Sequence, residues 1–154
     1  MIATLKIKLE SQMLGKNRDR DGIRRFPRVR GGYIEINRSA WTGLVAAACR
    51  DLGIKLDPTH IMPPQGFSAP SLHLFRRQAG PGVRECHESI RKGTVLTFDI
   101  VIQQSEDWDK DRCNDVLKQV ETVLNHVGSY MGLSHYGARK GYGRFFVQSL
   151  EPLR

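Results

Sequence analysis

Residues 136–147, YGARKGYGRFFV, set three glycines among cations and aromatic rings. Glycine tolerates positive φ and lets another chain come close to its backbone. Gly137, Gly141 and Gly143 can therefore turn successive N–H groups toward an anionic oxygen, with Arg139, Lys140 and Arg144 supplying the opposite charge. Tyr136 and Tyr142 add flat faces on which a base can stack. A turn that only joins two elements needs fewer glycines and no interleaved cations. The pattern fits a cradle for a charged polymer better than a connector.

A second concentration of charge lies earlier. Between Lys16 and Arg30, seven basic residues occupy fifteen positions, among them Arg24, Arg25, Arg28 and Arg30. A solvated basic loop explains any one of these arginines, but seven cations in fifteen residues fit that account poorly as a set. The whole chain of 154 residues carries 24 Lys and Arg against 16 Asp and Glu, a formal charge of +8. That balance favours a polyanionic partner, nucleic acid ahead of an acidic membrane.

Catalytic candidates are sparser. His87 stands in RECHESIRKG beside Glu88, Ser89, Arg91 and Lys92, and His135 adjoins the glycine stretch; both are generic acid–base candidates. Cys86 next to His87 is adjacency rather than a nucleophile geometry. Cys49, Cys86 and Cys113 are odd in number and lack metal-ligand spacing, which suits reduced thiols in a cytoplasm. Glu106, Asp107, Asp109 and Asp111 crowd the start of a helical pattern, where carboxylates offset the positive end of the macrodipole. No metal and no cofactor is expected. No apolar run is long enough for a bilayer span, and Lys6 and Lys8 interrupt any signal-peptide core.

The elements that position these residues follow from periodicity. Residues 3–9 alternate as a half-buried strand, with Leu5, Ile7 and Leu9 on one face and Lys6 and Lys8 on the other. Residues 10–38 form a basic excursion with a short edge hairpin within 23–36. Ser39 is the expected cap of a first helix whose stripe is Trp41, Leu44, Val45, Ala48, Cys49 and Leu52, with Gly53 at its end. Residues 54–70, rich in proline, read as an ordered loop, 71–77 as a strand, 78–93 as a long loop and 94–103 as a central strand. A second helix is expected from 105–107, with Cys113, Val116, Leu117, Val120, Leu124 and Val127 inward and Gly128 or Gly132 at its end. Residues 144–150 make the last strand.

The order β-α-β-β-α-β predicts one α+β domain over 1–154, a ferredoxin-like (RRM-like) unit with long loop insertions. Right-handed crossovers would put both helices on one face of a four-stranded antiparallel sheet. The other face would then carry Lys6, Lys8, His73, Phe75 and Arg77, a basic and aromatic surface suited to single-stranded nucleic acid.

Residues 140–147 approach the first ribonucleoprotein motif of RRM domains, but Arg144 and Val147 stand where that motif has aromatic residues. The segment also follows the second helix instead of forming the third strand. Gly141-Tyr142-Gly143-Arg144, a glycine-rich loop between second helix and last strand, resembles the hallmark of the RAMP proteins, the RNA-binding subunits and processing enzymes of CRISPR systems. Arg20-Asp21-Gly22 followed by YIEINRSAWTGLVAAACR is similar to the family's first-helix region, with Tyr33, Ile34, Ser39, Gly43 and Arg50 in register and Glu35-Ile36-Asn37 in place of Pro-Gly.

The resemblance implies a cytoplasmic protein of antiviral defence that binds single-stranded RNA of guide or crRNA type. Its partners would be RNA, with single-stranded DNA an alternative polymer, and other subunits of a ribonucleoprotein, but no membrane. It also implies that residues 10–38 are the insertion that grips guide RNA, with Arg24, Arg25, Arg28 and Arg30 on its phosphates, and that Asp21 or Asp19 is a candidate for target cleavage. Three alternatives stand beside it: a metal-independent endoribonuclease of the same fold, a module for a small anionic nucleotide, and a protein-interaction module. The chain's compactness would also fit a phage-encoded relative.

Overall fold

The computed structural model describes residues 1–29, 32–62, 66–134 and 140–153. Alternation at the N-terminus becomes strand β1 (Ile2–Leu9), with Ala3, Leu5, Ile7 and Leu9 buried. The basic excursion follows as five short strands: β2 (Met13–Leu14), β3 (Asn17–Arg18), β4 (Ile23–Arg25), β5 (Arg28–Val29) and β6 (Tyr33–Glu35). Helix α1 (Arg38–Leu52) leads through β7 (Ile61–Met62) and β8 (Gly66–Ser68) to a long hairpin of β9 (Leu72–Gly80) and β10 (Val83–Ile90). Strand β11 (Val95–Ile102), helix α2 (Lys110–Tyr130) and strand β12 (Phe145–Pro152) complete the chain.

The result is a mixed α+β fold with two helices and three sheets among the described residues. A four-stranded antiparallel sheet runs β12-β1-β11-β7. Its buried face, built from β1, β11 and β12, joins the apolar stripes of α1 (Trp41, Val45, Ala48) and α2 (Val116, Val120, Val123, Leu124, Val127) in one core. Helix α2 sits so close to β12 that a Cβ on Gly128 would collide with the carbonyl of Phe145. In the second sheet β10 pairs with β9 along one edge and with β2 and β4 along the other, and β3 lies outside β4. The third sheet is β5-β6-β8. Among the described residues no helix is long and apolar enough to cross a membrane.

Several expectations need correction. More strands are present than a single four-stranded sheet holds. Residues 71–77 do not enter the first sheet; β9 belongs to the second, and the place beside β11 is taken by β7, only two residues long. Ile61 is buried there, and its carbonyl accepts a hydrogen bond from Trp41 Nε1 at 2.9 Å, so α1 pins a strand too short to show a pattern. Residues 78–93 are the hairpin rather than a loop, turning at Gly80-Pro81-Gly82. Asn37, not Ser39, caps α1, accepting from the Ala40 N–H at 2.9 Å. Helix α2 starts at Lys110, where the Asp109 carboxylate accepts from Arg112 N at 2.7 Å. It runs through Gly128 and ends at Tyr130; just beyond its cap, Gly132 has a φ of 76° that no side-chain-bearing residue adopts easily.

Candidate nucleic-acid interface

The hinge between α2 and β12 is stitched to the segment that leaves β1. Gly143, with φ 68°, donates to the Gln12 carbonyl at 2.8 Å and accepts from Leu133 N at 3.0 Å. A Cβ there would stand 2.6 Å from the Ser134 nitrogen, so this glycine serves close backbone packing and its N–H is already used. Gly141 differs. Its φ is 77°, its carbonyl accepts from Ser11 Oγ at 2.6 Å, and a Cβ would meet nothing within 4 Å. Lys140 beside it is exposed.

Arg144 reaches back to donate to the Ser129 carbonyl in the last turn of α2, a favourable seat for a cation at the negative end of a helix. Its N–H donates to Ser11 Oγ at 2.9 Å. Tyr142 meets Phe75 edge to face, ring centroids 6.3 Å apart. His135, Tyr136, Gly137 and Arg139 lie outside the described residues, as does Arg30.

Three arginines of the excursion, Arg24, Arg25 and Arg28, face protein carboxylates. Strand β4 runs parallel to β10, bringing Arg24 opposite His87. Arg24 pairs with Glu85 at 3.3 Å and donates to the Lys16 carbonyl at 3.0 Å; Arg77 pairs with the other oxygen of Glu85 at 3.3 Å. Burial pushes the Glu85 carboxyl up, but Arg24, His87 and Arg77 outweigh it and hold the group below its ordinary value. Glu88, 7% exposed, accepts from Phe26 N at 3.0 Å and pairs with Arg28 at 3.0 Å and Arg25 at 3.6 Å. Arg25 also meets Asp21 at 2.6 Å and Asp19 at 3.3 Å. The Ile23 N–H, then Arg25, keep the Asp21 carboxyl below the usual carboxylate range.

His87 is fully buried. Its Nδ1 lies 2.7 Å from the Gly15 carbonyl and its Nε2 3.1 Å from Glu85. Each ring nitrogen thus has a partner, one in the excursion and one on β10. The structure therefore seats His87 as an internal clamp between β10 and the excursion, and turns Asp21 toward Arg25.

The open face of the first sheet has a different character. Register sets Lys6 between Thr97 and Ser149, and Lys8 between Val95 and Phe146. Phe146 and Val95 are 39% and 42% exposed, leaving a ring and an apolar patch beside the Lys8 stem. The turn after β10 carries Arg91 and Lys92, both exposed, and is tied to this end of β1 by the Gly93 N–H to Leu9 carbonyl bond at 2.8 Å. None of Lys6, Lys8, Arg91 and Lys92 forms an ion pair among the described residues. The far end is acidic instead, with Asp99 bonded to Thr4 Oγ1 at 2.8 Å and Glu151 across from it.

Of the surface expected on this face, Lys6 and Lys8 are present, whereas Phe75 and Arg77 sit on the second sheet. Phe146 was missed, although the alternation of Phe145, Phe146 and Val147 could have placed it opposite the core.

These elements define a mixed α+β protein whose two helices back one sheet and leave the sheet's other face partly apolar and basic. No family model matches the chain, and no curated protein does. In fold it is similar to a chain of the Type IV-B CRISPR Complex, with a TM-score of 0.58 at 13% sequence identity, over 100% of this chain and 92% of that one.

Proposed function

We propose that the protein is a single-stranded-RNA-binding subunit of a CRISPR-type ribonucleoprotein, built on a ferredoxin-like domain of the RAMP kind. Sheet order supports the fold: β12-β1-β11-β7 is last, first, penultimate and the strand following α1, with both helices packed on one side. Likeness along the full chain to a subunit of a CRISPR complex supports the setting. The glycine hinge at the α2–β12 junction supports the kind.

One observation carries RNA binding. At the Lys8 end of the sheet, an exposed ring stands beside cations that pair with no carboxylate among the described residues. Bases stack on Phe146 while Lys6, Lys8, Arg91 and Lys92 follow phosphates, and Lys140 adds a cation at the hinge. The reading favours holding over cutting, because His87 is enclosed and Asp21 is turned to Arg25.

The test is titration of a labelled single-stranded RNA with the Lys6→Glu/Lys8→Glu double variant, with circular dichroism to check the fold. The expected result is a loss of at least about tenfold in affinity, with a shallower salt dependence. Unchanged affinity would remove the sheet face from the site.

A further inference from the structure

Two glycines lie inside helices, and they are there for different reasons. Gly128 is required by packing, since any side chain would strike the Phe145 carbonyl. Gly43, in the second turn of α1, has nothing within 4 Å of where its Cβ would be. Glycine is among the least favourable residues in a helix interior, and here no neighbour among the described residues requires it. The space above Gly43 is a cleft of about 910 Å3 between α1, the end of α2 and the start of the excursion.

Its walls are apolar and adaptable: Met13 and Met131 face the cleft with Leu44 and Leu133, and Trp41 lies beneath. Lys16, Asn17 and Glu35, all exposed, stand at the mouth. Two flexible thioethers suit a flat aromatic ring. The mouth can read the ring's edge, Glu35 accepting from an exocyclic amino group and Asn17 donating or accepting. Lys16 supplies a cation for the attached phosphate.

Position strengthens the case. Met13 directly follows Ser11 and Gln12, the residues that hold the glycine hinge, and these follow the basic end of β1. Along the chain, the basic end of β1 thus leads through the hinge contacts into the wall of the cleft.

We propose that this cleft receives one nucleobase of the bound RNA, edge outward toward Glu35 and Asn17, and that Gly43 is bare so that the ring can lie against the helix backbone. The assignment rests on the RNA-binding reading and adds to it a base-recognition site separate from the sheet face. An apolar side chain from a protein partner would match the walls but not the polar mouth.

The experiment uses the full chain with Gly43→Ala and Gly43→Leu. Both should melt no lower than wild type, because the helix gains propensity and the Cβ enters empty space. Against a short single-stranded RNA, Gly43→Leu should bind about tenfold more weakly than wild type, the scale of one lost stacking contact. Against the same RNA made abasic, the two should bind equally. In a Trp108→Phe background, intact RNA should quench Trp41 emission in the wild-type cleft and leave it unchanged with Gly43→Leu. Wild-type affinity and quenching in Gly43→Leu would overturn the base site while leaving RNA binding intact. If wild type binds neither RNA, the underlying reading fails and this one with it. If Gly43→Leu keeps RNA affinity but loses a partner subunit, the occupant is a protein side chain and the base assignment is wrong.

Discussion

Arg24, Arg25, Arg28 and Arg77, around the second sheet, and Lys6, Lys8, Arg91 and Lys92, on and beside the first, carry equal formal charge. The first four each face a carboxylate of β10 or of the excursion, at 2.6 to 3.6 Å. The second four face solvent, an exposed ring and one another's neighbours. The difference lies in what stands opposite. Glu85 and Glu88 arrive from about 60 residues downstream, at sequence separations of 61 and 60 from Arg24 and Arg28, and convert a basic loop into a clamped one. Arg25 and Arg28 stay more than a third exposed, so they can touch phosphate at one edge, but only in competition with Glu88.

The largest effect that can break this contrast is on stability. Glu88→Ala removes the acceptor of a buried N–H and the counter-charge of two arginines, so unfolding free energy should fall by about 2–3 kcal/mol, read as a lower urea midpoint. Lys6→Ala and Lys8→Ala should move the same midpoint by less than about 0.5 kcal/mol. Equal shifts would erase the distinction.

Next in size is Phe146→Ala, which should weaken single-stranded RNA binding by about 1–3 kcal/mol in fluorescence anisotropy, with the fold unchanged by circular dichroism.

Salt titrations sharpen the comparison further. Each of Lys6→Ala and Lys8→Ala should reduce the slope of log affinity against log salt by about 0.7, the value for one contact to a single strand. Arg25→Ala should change it by less, its charge being shared with Asp21, Asp19 and Glu88.

The smallest effect is in acid. The folded Glu85 carboxyl titrates below its ordinary 4.5, so its contribution is present above that pH and fades as pH falls through the depressed value. Glu85→Gln should flatten the stability curve below about pH 4.5, by under about 1 kcal/mol. An acid limb unchanged by this substitution would mean that the Arg24 and Arg77 pairs contribute nothing.

Much of the fold was legible. β1, β11, β12 and both helices follow from periods of 2 and 3.6, and the buried residues Leu5, Ile7, Val45, Ala48, Val116 and Val120 fall where those periods put them. The second sheet was not. Leu72, Leu74 and Phe75 alternate well enough for a strand in either sheet, yet Leu74 is 55% exposed and Phe75 turns toward Tyr142, because β10 rather than β11 is the partner. β7 shows no pattern in two residues and exists through Val101 and Trp41.

The site divides in the same way. A glycine-rich hinge was visible, but Gly143 is glycine because the Ser134 backbone lies against it, a fact about two segments and not about either. Likewise Gly43 resembled a motif position, and only the cleft above it shows that nothing packs there.

By itself, then, the chain's order of residues determined the two helices, the strands β1, β11 and β12 and which of their faces are apolar, since these depend on neighbours within a turn or a pleat. Tertiary structure alone decided which strands share a sheet, which glycines are crowded and which cations stay available. Those outcomes depend on groups brought together across the chain, where a carboxylate within 4 Å of an arginine competes directly with any phosphate.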